Sequence, residues 1–309
     1  MGSIGATTPG TAWFLNGIRN LQQEETETER ELTSGYQIQD AADAPALTPE
    51  LVTLGSTLAY VQAYQTNLTN VQAEASAADT ALGTGVTLLD NAQSLGAEGA
   101  DSSQSASSRQ TLALQIQNIQ QQMVSLANTS VAGRYIFGGG TDQSAPYQYD
   151  ASNATTGVDR LTTEPTGTVI VNTQGEPIYQ GLTAQQIFDA RDANGNPTAN
   201  NVFAALQSLS AALEANNQAG ITAALTNVQT ASAWLNQEQA YYGAAEQRIT
   251  SEQNTAANQI TALETQIGNI RDTDVAQAAT QLTQEQTDLQ AAYGAQSEIP
   301  AKTLFDYLG

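Results

Sequence analysis

A seven-residue repeat of apolar side chains in the last third of the sequence is the feature that most limits how this chain can fold. The repeat has eight successive members, all aliphatic or aromatic: Ile221, Val228, Leu235, Tyr242, Ile249, Ala256, Leu263 and Ile270. This spacing lines one side of an α-helix and is typical of a coiled coil. It predicts a helix over about 220–271, on the order of 75 Å long at 1.5 Å per residue. Such a helix cannot bury its stripe against itself and needs other long helices beside it.

Two apolar stripes in the N-terminal half predict the partner helices. The first repeats every seven residues, and the second alternates steps of four and three residues, which is the spacing of a coiled-coil seam. They predict helices over 50–93 and 109–131, separated by a loop rich in Gly and Ser at about 96–108. Their members are Leu54, Val61, Leu68, Ala75, Leu82 and Leu89 in the first stripe, and Leu112, Ile116, Ile119, Met123 and Leu126 in the second.

The second seam position of the long C-terminal helix is polar in its middle. Polar seam residues weaken packing but can fix the register of a coiled coil. We expect this helix to run antiparallel to the two N-terminal helices, because the middle of the chain lies between them. A plain three- or four-helix bundle fits the same repeats as an alternative. The predicted second-seam residues are Leu225, Ser232, Gln239, Glu246, Gln253, Ile260 and Ile267.

The middle of the chain has a different character from both flanks. Four of the eight prolines and many glycines lie within 133–200. Short β-branched runs at 168–171 and 177–179 alternate with turn dipeptides such as Gln174-Gly175 and Asn194-Gly195, which favours strands joined by tight turns. A small β-rich insert is therefore predicted there.

Together these patterns predict a mainly α fold, a long antiparallel coiled-coil rod built from both chain ends with a small β-rich insert in the middle. Residues 1–45 and 272–309 are predicted to form an assembly domain of terminal helices. Residues 46–132 and 201–271 form the rod, and 133–200 form the insert.

The two chain ends carry helical patterns with few apolar residues. Five glutamates crowd the first helix between positions 24 and 31. Neither end has enough apolar surface to fold alone. We expect the ends to pair with each other, to pair with neighbouring subunits, or to stay disordered until assembly.

The composition argues against catalysis, metals and nucleic acid. The sequence has no His and no Cys, so the commonest general base, the thiol nucleophiles and most transition-metal ligands are missing. Nine basic residues face 31 acidic ones, and the resulting net charge of −22 repels nucleic acid and anionic lipid. We therefore predict no enzyme, no cofactor, no nucleic-acid partner and no membrane partner. The N-terminus lacks the pattern of a cleavable signal peptide.

Several short motifs resemble the bacterial flagellin superfamily. They are RNL at 19–21, LTSG at 32–35, the acidic stretch at 40–45, RYIFGG at 134–139, RDTD at 271–274 and LFDYL at 304–308. With the repeats between them they cover about three quarters of the chain. The combination is specific, although no single motif is.

The resemblance implies a structural axial component of the bacterial flagellum, extracellular and exported by the flagellar type III pathway. Within the superfamily, the stretches 128–147, 201–217 and 282–291 look more like a hook–filament junction subunit than a filament flagellin, which stays the alternative. The implied partners are copies of the chain, hook-associated proteins, flagellin, the filament cap and an export chaperone at the C-terminal helix. A coiled-coil binding or adhesin-type module is the alternative from another class.

The predicted functional site is an assembly surface rather than a pocket. Arg19 and Arg271 are expected to contact acidic groups of the partner terminal segment or of a neighbouring subunit, because a guanidinium group pairs with carboxylates through two parallel hydrogen bonds. The predicted interface comprises Phe14, Ile18, Arg19, Leu21, Leu32, Arg271, Asp272, Asp274, Leu282, Leu289, Leu304 and Phe305.

Overall fold

The computed structural model describes residues 9–163 and 166–298. Helices make up most of that part of the chain, and the strands are two to four residues long. The helices are α1 (Pro9–Ser34), α2 (Thr48–Ala100), α3 (Ala106–Ala127), α4 (Ala184–Ile187), α5 (Val202–Glu214), α6 (Gln218–Arg271) and α7 (Val275–Glu298). The strands are β1 (Ser130–Val131), β2 (Arg134–Tyr135), β3 (Tyr147–Tyr149), β4 (Val158–Arg160), β5 (Val169–Val171) and β6 (Pro177–Gln180). The predicted mainly α fold is confirmed.

The chain divides into two compact units. Residues 1–60 and 259–309 form the first, which we name the terminal unit, and residues 61–258 form the second, the central unit. None of the helices in the described part of the chain is long and apolar enough to cross a membrane.

The core of the central unit forms where α2 and α6 run antiparallel. A Cβ atom added at Gly85 would lie 2.8 Å from Cδ2 of Leu235, and one added at Gly96 would lie 2.6 Å from Cδ2 of Leu225. Residue numbers in α6 therefore fall as those in α2 rise, which confirms the predicted antiparallel arrangement.

The first seam of α6 is buried as predicted within the central unit, from Ile221 to Ala256. Of the predicted second seam, Ser232 is buried and Leu225 packs against the core. The more fully buried second seam lies one residue earlier, three positions after each member of the first. It comprises the buried residues Ala224, Ala231, Glu238 and Ala245. Three of these four residues are alanines, whose short side chains pack closely but give a weaker apolar signal than leucine or isoleucine.

The predicted loop at 96–108 is wrong at both ends, because α2 continues to Ala100 and α3 begins at Ala106. Gly96 and Gly99 are buried helical residues, and the space that a side chain would take is filled by Leu225, Leu209 and Leu213. Glycine costs helix stability, but here it permits leucines from facing helices to pack against the backbone. Ser105 caps α3 by accepting a hydrogen bond from the Ser108 amide. The predicted helix end at 131 is also wrong, because α3 ends at Ala127.

The predicted β-rich insert is confirmed. Three antiparallel pairs form, β1 with β2, β3 with β4 and β5 with β6. Gly175 and Gly195 have φ of +85° and +84°, so the two predicted turns use glycine where other residues are strained. Phe137, Phe188 and other insert aromatics belong to the same apolar core as Tyr242 of α6. The insert therefore folds onto the helices rather than around a core of its own.

The close approach at Gly96 gives a test of the α2 packing. We expect Gly96→Leu to lower the free energy of unfolding by about 1–3 kcal/mol, because the new side chain must displace Leu225 and Leu209. Gly243 of α6 is the matched control, since nothing lies within 4 Å of an added Cβ there. Gly243→Leu should raise stability by up to about 1 kcal/mol through helix propensity. Thermal and urea unfolding followed by circular dichroism measure both, and equal effects would refute the packing.

Candidate assembly surface of the terminal unit

The terminal unit is organised by α1 and α7, which pair antiparallel along a seam with steps of three and four residues. Gln22 Nε2 donates to the hydroxyl of Tyr293 at 2.7 Å, and Thr273 Oγ1 donates to Glu31 Oε2 at 2.9 Å. The pairing fulfils the first of the three expectations for the chain ends. The α1 seam consists of Phe14, Ile18, Leu21, Glu25, Thr28 and Leu32, and the α7 seam of Ala278, Leu282, Glu285, Leu289 and Ala292.

The centre of this seam is polar. Thr28 and Glu285 are 4% and 6% exposed, and the Thr28 hydroxyl donates to Oε1 of Glu285 at 3.1 Å. Gln281 Nε2 donates to the same oxygen at 2.8 Å, and Oε2 of Glu285 has no partner in the described part of the chain. A buried polar pair stabilises little but strongly disfavours other registers, because a shift would leave the carboxylate unpaired. The pair therefore fixes the alignment of α1 with α7.

The segments after α1 and before α7 also meet. Tyr36 and Asp272 form an antiparallel bridge, and the Gln37 amide donates to the Arg271 carbonyl at 2.8 Å. The Arg271 guanidinium lies 4.0 Å from the centre of the Tyr36 ring, and its Nε donates to Asp272 Oδ1 at 3.0 Å. Asp274 Oδ1 accepts from the amides of Ala276 and Gln277 and so caps the N-terminus of α7.

The predicted contact of Arg271 with the N-terminal segment occurs through an aromatic ring, whereas its acidic partner is its own neighbour Asp272. Arginine stacks on aromatic rings because its guanidinium is planar and weakly hydrated. Arg19 is exposed beside Gln22, Gln23, Thr26, Glu27 and Arg30, and it forms no ion pair with a residue that the structure describes.

The structure brings most of the predicted apolar residues together, but within one chain. Ile18 and Leu289 are buried, and the other four are half-buried on the same seam: Phe14, Leu21, Leu32 and Leu282. Leu304 and Phe305 lie outside the described residues. Within the described residues, the largest exposed apolar side chains of this unit therefore lie elsewhere.

Large apolar side chains that sequence reasoning missed project outward from the terminal unit. Trp13 is 78% exposed, Val52 65% and Tyr60 58%, and Val275 and Tyr293 are also exposed. In contrast, only Ile18, Ala278 and Leu289 are buried apolar residues in the described part of this unit. Trp13, Tyr60 and Tyr293 each lie next to a seam or stripe residue (Phe14, Val61 and Ala292), which is the signal that could have found them.

An open groove of about 750 Å³ adds to this surface. It lies between the segment after α1, the start of α2 and the end of α6. Its apolar lining is only half-buried, apart from the exposed Ala41 and Val52. The groove is lined in part by Ile38, Leu51, Val52, Leu58, Ile267 and Arg271.

The charge of the terminal unit is strongly acidic. Its described part holds Arg19, Arg30 and Arg271 against fourteen acidic residues, eight within 9–60 and six within 259–298. Arg30 already pairs with Asp43 at 3.0 Å. Two such surfaces repel each other at low ionic strength, and added salt screens that repulsion. Within the described residues, no cluster of three or more acidic groups could hold a metal ion.

The polar centre of the seam gives a second test. Thr28→Val removes a donor from buried Glu285, and we expect it to destabilise the α1–α7 pair by about 1–3 kcal/mol. Combining it with Glu285→Leu should recover most of that loss, because no buried charge is left unpaired. Thr287→Val is the matched control, since that hydroxyl donates only to a carbonyl of its own helix. Hydrogen exchange of α7 amides measures the effect; a loss as large in the control would contradict it.

Comparison with known proteins gives a consistent set of relatives. The family model described as the bacterial flagellin N-terminal helical region matches residues 11–142, and the C-terminal helical region matches residues 225–308. Flagellar hook-associated protein 3 of Escherichia coli is 24% identical over 311 residues, covering 94% of this chain and 95% of that protein. Its namesake in Salmonella typhimurium is 23% identical over 312 residues, with the same coverage.

Two solved structures share the fold. A proposed flagellar hook-associated protein from Vibrio parahaemolyticus matches with a TM-score of 0.63 and 19% identity, covering 74% of this chain and 100% of that one. The FlgL protein of Bacillus cereus matches with a TM-score of 0.55 and 17% identity, covering 70% and 99%.

Proposed function

Because the chain belongs to the bacterial flagellin family, whose N- and C-terminal models together match well over half of it, we propose that it is a structural subunit of the flagellum that assembles through its terminal unit. The observation that carries the proposal is the imbalance of that unit. It buries few apolar side chains and exposes Trp13, Val52, Tyr60 and others. We infer that a neighbouring subunit covers these exposed side chains, so that burial of apolar surface is completed between subunits.

The position at the junction between hook and filament is the favoured one. Its support is the name of the two relatives that align with almost the whole chain, flagellar hook-associated protein 3. A subunit of the filament itself is the second candidate, since the same family models describe flagellin. The proposed partners are copies of this chain, other hook-associated proteins, flagellin and the filament cap.

Further parts of the proposal follow from the same role. Residues 1–45 and 272–309 form the assembly domain, 46–132 and 201–271 the rod, and 133–200 the insert. The chain acts outside the cell without catalysing a reaction. A chaperone covers the C-terminal helix before export, which keeps exposed residues of α7 such as Val275 and Tyr293 from associating early.

The interface proposed here includes the predicted residues from Phe14 to Phe305 together with the outward-facing apolar residues. Seam residues such as Ile18 and Leu289 act by holding α1 and α7 in register, and Asp274 acts by capping α7. Trp13 and Val52 are the residues that a neighbouring subunit covers.

Removal of the gene separates the two positions. We expect a deletion strain to release unassembled flagellin into the medium, because filament subunits then lack a foundation on the hook. Restoring the chain should restore filaments. Loss of the major extracellular protein itself would instead identify the filament subunit, and normal filaments in the deletion strain would contradict both candidates. Immunoblotting of medium and electron microscopy of cells provide the readouts.

The stacking of Arg271 on Tyr36 gives a residue-level test. Arg271→Glu should keep the helix content of the purified chain but abolish filament formation in the complemented strain, because the charge beside Asp272 and Asp274 becomes wholly negative. Tyr36→Phe retains the ring and should retain function, whereas Tyr36→Ser should impair it. Circular dichroism and swimming assays measure these outcomes. Normal motility of the Arg271→Glu strain would refute a role for this residue in assembly.

A further inference from the structure

A cleft of about 690 Å³ lies in the central unit, between the insert and α6. We name it the insert cleft. It is distant in sequence from the assembly surface, and the assembly proposal makes no use of it. Its lining includes Arg160, Leu182, Asp189, Arg191, Trp234 and Glu238.

One wall of the insert cleft is a closed network around Asp189. This carboxylate is 1% exposed and accepts hydrogen bonds from Tyr147, Arg160, Arg191 and Asn201. Burial raises the pKa of the Tyr147 hydroxyl, which therefore stays a donor. Both guanidinium groups donate to this carboxylate, and Asp192 in the same cleft offsets the second positive charge, so this wall has little capacity left for an anionic ligand.

The other acidic groups of the cleft differ in how well they are satisfied. Asp192 accepts from the amides of Asn194 and Asn196 at 2.9 and 2.8 Å, and these bonds lower its pKa. Glu238 on α6 is only 9% exposed, yet within the described part of the chain it has no hydrogen bond and no ion pair. Burial raises the pKa of its carboxyl, as expected for an acid without a nearby counter-charge.

An aromatic side chain lines the same cleft one helical turn before Glu238. The indole Nε1 of Trp234 donates to the Ile187 carbonyl at 3.0 Å, so the ring is held in place by its polar edge. A fixed indole beside an unpaired carboxylate offers two attractions to a cation, one to the charge and one to the ring face. Leu182 and the alanines at 190 and 193 supply apolar surface for a carbon chain.

We propose that the insert cleft binds a compact organic cation, an ammonium or guanidinium group, with Glu238 as its counter-ion and Trp234 as its aromatic wall. The group belongs either to a free polyamine or to a lysine or arginine side chain of another protein. Both sources offer the same chemistry, and binding supplies the partner that Glu238 lacks.

Fluorescence tests the proposal directly, because the chain has two tryptophans and Trp13→Phe leaves Trp234 as the reporter. Pentylamine should produce a saturable change in emission, and 1-pentanol, which differs by its lack of charge, should not. Spermidine represents the free polyamine, while the methylamides of Nα-acetyl-lysine and Nα-acetyl-arginine represent protein side chains. The compound that binds with the higher affinity, the polyamine or an amino-acid methylamide, identifies the source of the cation.

The controls separate a site from the general attraction of cations to an acidic protein. Glu238→Gln has the same size and should weaken binding at least about tenfold, while its circular dichroism stays that of the parent. Glu98→Gln removes the same charge from an exposed position of α2 and should leave the affinity unchanged. Equal weakening in both variants, or no saturable response to any cation, would overturn the proposal. Neither result bears on assembly, which is scored separately by filament formation.

Discussion

Burial of the seven-residue apolar repeat of α6 is the constraint on which the rest of the structure depends. A single helix of 54 residues cannot bury its own apolar stripe. Packing against α2, α3 and α5 is therefore required before the rest of the central unit can form. Close approach is made possible by glycines and alanines on the facing surfaces, which let leucines reach the backbone. The insert then uses the same core, since Tyr242 of α6 packs among its aromatic rings.

Local sequence signals were enough to predict the helices, their antiparallel order and the insert. Those signals are the apolar repeats and the turn residues. Gly96 and Gly99 could not be placed, since composition within a short window predicts a loop while the deciding leucines lie more than a hundred residues away. No local sequence pattern indicated the Asp189 network either, because it too depends on residues that are far apart in the chain. Its donors come from four separate places in the chain, and only the folded insert unites them.

The sequence predicted that the chain ends carry the candidate site, but it did not separate the residues of the α1–α7 seam from those that face outward. The helical patterns at both chain ends located the apolar residues of the α1–α7 seam, but such a pattern cannot tell whether a partner helix belongs to the same chain or to another. Ile18 and Leu289 proved to be buried inside the pair. Residues next to the seam, such as Trp13, carry the outward surface because side chains on a helix change direction by about 100° per residue.

The paired Thr28 and Glu285 suggest how such a molecule can be handled before it reaches its place. A seam that is apolar along its whole length would be stable in several alignments, and after separation the two helices could pair again in the wrong one. One buried polar pair in the middle makes separation of the helices easier and leaves a single alignment in which the carboxylate keeps its hydrogen bonds. Terminal helices built like this can separate, be transported as an extended chain and then pair again in the same alignment.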